Sequence, residues 1–129
     1  MRATWFGQWA VAAFFAIVFL QSAADKWIDR KGNLDYLGGH FANSPLKGVV
    51  PAMFWAITVL ESIAGILSAI GALVVLFGGG SGLAAWGLTF SMIALLCLLF
   101  GQRLAKDYGG ASVLAAYFAV ALVGIILVS

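Results

Sequence analysis

Glu61 is the residue in this chain best placed to do chemistry, because it stands alone as an ionisable group in the otherwise apolar run from Pro51 to Phe77. At about 1.5 Å of rise per helical residue, such a run crosses the roughly 30 Å hydrocarbon core of a bilayer with some tilt. The carboxyl then falls near mid-bilayer, where it must be protonated, paired or hydrated, and must face protein. Thr58, Glu61, Gly65, Ser68 and Ala72 recur at helical spacing and make one polar or small face. On that face Glu61 could relay a proton, hydrogen-bond a quinone, or anchor a buried network with Thr58, Ser62, Ser68 or Gln21. The last role needs no chemistry, since a satisfied carboxyl fixes the register of a helix bundle. Lys26 and Arg103 offer counter-charge only near helix ends, which leaves direct pairing open.

Other reactive side chains are few. Gln21 and Asp25 are one helical turn apart and, with Lys26, form a polar cluster expected at the membrane surface, where a headgroup or substrate could bind. His40 is the single histidine, and in a polar segment it reads first as a solvated residue, although imidazole suits proton transfer. Cys97, the single cysteine, cannot form an internal disulfide and reads as a small packing residue deep in the third span. The chain has no CxxC, no HExxH and no Cys/His cluster, which argues against a self-contained metal, haem or iron–sulfur site. No intrinsic cofactor is expected; a bound quinone or lipid is the ligand class left open.

The elements that must position these groups are membrane helices. Of 129 residues 64% are hydrophobic and 9% charged, too little polar surface to cover a water-soluble globule. The pattern predicts an all-α fold, a four-transmembrane-helix bundle in one integral-membrane domain over residues 1–129, with spans at about 5–24, 51–77, 83–100 and 111–128. The basic start and Ser22-Ala23-Ala24 allow a signal-peptide reading of the first run, but it is long enough to span and is expected as a retained helix. A long polar, interfacial loop with short helical pieces is expected between the first and second spans, broken by Gly38, Gly39, Asn43, Ser44 and Pro45. The Gly78-Gly79-Gly80-Ser81-Gly82 link makes the second and third spans antiparallel neighbours. Gly65, Ala72, Gly87, Ser91, Ala115, Ala119 and Gly124 are the small residues expected at helix contacts.

The net charge of +2 sits in short loops, so it speaks to membrane orientation and not to nucleic acid. Lys26, Arg30, Lys31, Lys47, Arg103 and Lys106 oppose only Arg2, which places both charged loops (25–48 and 102–110) in the cytoplasm and both termini outside, in a membrane expected to be a bacterial inner membrane.

The chain also resembles the DoxX-like membrane proteins. The first span ends in Ala23-Ala24-Asp25-Lys26-Trp27, and the second contains Glu61, Gly65 and Gly71 in an E-x-x-x-G-x-x-x-x-x-G pattern. Ser22, Ala23 and Ala24 stand where the family commonly carries a glycine before its lysine. The resemblance implies a four-helix membrane bundle. Some members are subunits of thiosulfate:quinone oxidoreductases or other membrane redox complexes, and others assist membrane-protein assembly. The expected function is an accessory subunit of a larger redox or respiratory membrane complex, making structural, lipid and quinone contacts with other membrane-protein subunits and not catalytic by itself. The alternative is a quinone-interacting oxidoreductase component in which Glu61 transfers the proton; a small oligomeric transporter is weaker, because broken helices and internal repeats are lacking.

Overall fold

The computed structural model describes residues 3–129, and among these the regular structure is entirely helical. Arg2, which enters the charge comparison across the membrane, lies outside the described residues. The helices are α1 (Ala3–Ile28), α2 (Arg30–His40), α3 (Val50–Leu76), α4 (Gly82–Leu104) and α5 (Tyr108–Val128), with a 3₁₀ turn at Lys47–Val49. The first, third, fourth and fifth are long and apolar enough to cross a membrane, as the hydrophobic runs predict.

The long polar loop is a correction. Half of it is α2, which continues through Gly38 and Gly39 to His40. Asp29 ends α1 and caps α2, its side chain accepting from Gly32 N at 3.2 Å. Capping of this kind contributes about 1 kcal/mol, enough to offset roughly the cost of one glycine in a helix. The first and third spans are also longer than expected, because nothing between Ala24 and Ile28, or between Phe100 and Leu104, breaks a helix. Asp25, Lys26 and Trp27 therefore lie on α1 rather than in a loop.

α3 is the central element, packed along α1 on one side and α4 on the other, while α5 lies against α4 and closes on α1. The close approaches are made at glycines. A Cβ at Gly65 would lie 2.9 Å from Leu20 N, one at Gly71 would lie 2.5 Å from Ala84 N, and one at Gly87 would lie 2.7 Å from Ser68 N. Backbone cannot yield there, so α3 owes its neighbours to missing side chains. Ala72 and Ser91 are buried in the same region. Ala115 and Ala119 are exposed, contrary to expectation, because α5 turns Ala111, Ala121, Gly124 and Val128 inward.

Phe15, Phe19, Phe54, Leu88 and Leu95 fill the centre of the bundle. The outward faces are apolar too: Ile17 is 71% and Ile126 73% exposed. Continuous apolar exteriors on four spanning-length helices mark an integral membrane protein, since lipid is the only solvent that tolerates them. Tryptophans sit at both ends. Trp5 donates to Val75 O at 2.8 Å near the end of α3, and Trp27 lies against Trp55 at the opposite end, 5.5 Å between centroids.

Candidate functional site

Glu61 is the twelfth residue of α3 and is only 2% exposed, enclosed between α3 and α1. Its partner is Lys26. Lys26 Nζ lies 2.9 Å from Glu61 Oε1, and Ser22 Oγ donates to Glu61 Oε2 at 3.0 Å while accepting from Lys26 Nζ at 2.8 Å. The Lys26 approach to Oε1 has ion-pair distance without the alignment of a hydrogen bond, so charge carries that contact and Ser22 supplies the directed one.

This clasp follows from local sequence. Ser22 and Lys26 are four residues apart and share a face once α1 continues past Asp25. Gly65, one turn beyond Glu61, lets α1 approach closely enough for a short hydroxyl to reach the carboxylate. Trp27 and Ser62 add a second link, Trp27 Nε1 donating to Ser62 Oγ at 3.0 Å while Ser62 Oγ donates to Thr58 O at 2.7 Å. Thr58 is buried and donates within its own helix to Phe54 O at 2.6 Å. Ser68 is buried near Gly87, and its hydroxyl has no partner among the described residues.

The expected cluster of Gln21, Asp25 and Lys26 is divided. Lys26 turns inward to Glu61, Asp25 accepts from Asn33 Nδ2 of α2 at 3.2 Å, and Gln21 is exposed. Successive positions on a helix point 100° apart, so neighbours in sequence serve different partners. Ser22 was not singled out by the sequence because its type is common and its partner lies 39 residues away. The signal was its position one turn before Lys26.

A second polar group lies where α2 meets the ends of α4 and α5. His40 Nε2 is 2.6 Å from Gln102 Oε1 and 3.7 Å from Asp107 Oδ2, and its ring stacks on Tyr36 at 5.4 Å between centroids. His40 is thus partly buried and tied down rather than free in solvent. Asp107 is committed further as the N-cap of α5, accepting from Gly110 N at 3.0 Å. Cys97 is exposed on α4, not packed inside, and borders an apolar cavity behind α2. Glu61 lines neither that cavity nor the groove between α1 and α5. Among the described residues no group of three His, Cys, Asp or Glu side chains converges as metal ligands would.

The arrangement around Glu61 can hold two helices in one register, with the carboxylate 2% exposed and engaged by Lys26 and Ser22. Comparison of the chain with protein-family models, with curated proteins and with solved structures found no match.

Proposed function

We propose that the chain is a DoxX-like accessory subunit of a larger redox or respiratory complex in a bacterial inner membrane, contributing packing surface and lipid or quinone contacts instead of catalysing by itself. The observation that carries this reading is the closure of the Glu61 site: the family-type lysine and glutamate are spent on each other and on Ser22. A carboxylate so engaged acts as a clasp between α1 and α3. The apolar outer faces of the spanning helices offer lipid and partner helices a broad surface. In this reading the α2 segment lies at the headgroup level, and the ends of the helices that carry Arg30, Lys31, Lys47, Arg103 and Lys106 face the cytoplasm.

Solubilisation from the native membrane in mild detergent, followed by mass spectrometry of co-eluting chains, tests the proposal. Stoichiometric recovery with redox-subunit partners is the expected result. An isolated chain that turns over a quinone-linked substrate would overturn it. In the recovered complex Glu61→Gln should lower stability while leaving turnover per intact complex unchanged; loss of turnover in intact complex would assign Glu61 a proton-transfer role instead.

A further inference from the structure

Between α2, α3 and α4 lies a partly enclosed cavity of about 390 Å³, bounded by Leu37 and Phe41 of the α2 side, Ile57 and Leu60 of α3, and Cys97 and Leu98 of α4. Its volume falls in the range of small-ligand sites. Its walls are almost wholly apolar, so water gains no partners there, and an unfilled void would cost the lining atoms their dispersion contacts. Ala56, Cys97 and Phe100 are exposed at its edge, which opens it on the outer faces of two spanning helices, where the neighbouring fluid is hydrocarbon.

The polar end constrains the ligand further. His40 Nε2 and Gln102 Oε1 border the cavity and are bonded to each other, so its polar end is small beside its hydrophobic walls. Lys47 follows the lining residue Leu46 and Arg103 follows Gln102, so both exposed cations stand at the end of the helices that carries the His40–Gln102 pair; Arg103 lies over the Tyr108 ring, 4.7 Å from its centroid, and among the described residues neither cation is within 4.0 Å of a carboxylate. Cations at that end of a hydrocarbon slot match an anionic headgroup above an acyl chain. We infer that this cavity is a binding site for an anionic phospholipid, one acyl chain lying between α3 and α4 beneath α2 and the headgroup at Lys47 and Arg103.

The full chain in mild detergent, titrated with dioleoylphosphatidylglycerol or dioleoylphosphatidylcholine and observed by native mass spectrometry, tests the site. The wild type should retain one phosphatidylglycerol at least tenfold more tightly than phosphatidylcholine. Ala56→Trp, which fills the slot, should abolish that retention, and Lys47→Gln with Arg103→Gln should remove the preference for the anionic lipid while keeping binding of the chain. Phosphatidylglycerol should also slow alkylation of Cys97 by N-ethylmaleimide several-fold in the wild type, a readout that does not depend on Ala56→Trp folding. Equal retention of the two lipids, undiminished binding by a folded Ala56→Trp, unprotected Cys97, or stoichiometric displacement of the lipid by decylubiquinone would each overturn the assignment.

Discussion

At the scale of single residues, the asymmetry between Lys26 and Glu61 governs what their substitution does. Glu61 is sealed in the α1–α3 interface, whereas the Lys26 side chain retains 15% exposure and a flexible stem that can carry its charge toward the membrane surface. Removing one partner of a buried pair costs about 3–5 kcal/mol, most of it the penalty on the charge left behind. Lys26→Met should therefore destabilise more than Glu61→Gln, and the double substitution should recover much of the loss, as read from a double-mutant cycle of unfolding in detergent. Ser68 presents the opposite case. Its hydroxyl is buried and unpartnered, a situation that costs roughly 1–3 kcal/mol, so Ser68→Ala should leave stability unchanged or raise the melting temperature. The sequence made Glu61 conspicuous because a lone acid in an apolar run needs a partner. It offered Lys26 and Arg103 as counter-charges without choosing between them, because pairing depended on α1 continuing through Lys26, and Ser22 looked like any small residue.

At the scale of elements, close helix approach rests on glycines of α3 and α4 whose absent side chains are occupied by backbone. Gly87→Ala places a Cβ against Ser68, backbone included, and should cost about 1–3 kcal/mol by overpacking. Gly80→Ala is the control: nothing lies within 4 Å of its Cβ, and melting curves should separate the two variants clearly. The four spans were legible because each is an apolar run of membrane length, and the α3–α4 link was legible because its glycines admit little else. α2 was legible only as short helical pieces and not as one helix through Gly38 and Gly39, because it is amphipathic only weakly and buries none of its residues, so no hydrophobic period announces it. The seam of α5 was read correctly at Gly124 and misread at Ala115 and Ala119 for a related reason. Small residues occur all round an apolar helix, and only packing decides that Ala121 and Gly124 face inward while Ala115 and Ala119 do not.

At the scale of the whole molecule, stability is distributed unevenly. The spanning helices share one core centred on α3, while α2 is attached through Asp29, the Asp25–Asn33 bond and the His40–Gln102 bond. Hydrogen exchange in micelles should therefore be fastest in the amides of α2, with α3 among the last to exchange. Equal protection of the two would contradict this hierarchy. At the opposite end of the bundle, Gln8 Nε2 donates to Leu127 O at 2.7 Å and Ser81 Oγ to Val128 O at 2.8 Å. α1 and the residue that precedes α4 thus fasten the last carbonyls of α5, using main-chain oxygens that a peptide appended after Ser129 would leave in place. A carboxy-terminal fusion should accordingly be accepted with little change in melting temperature, whereas truncation before Leu127 would strand both donors and loosen the seal of α5 on α1 and α4.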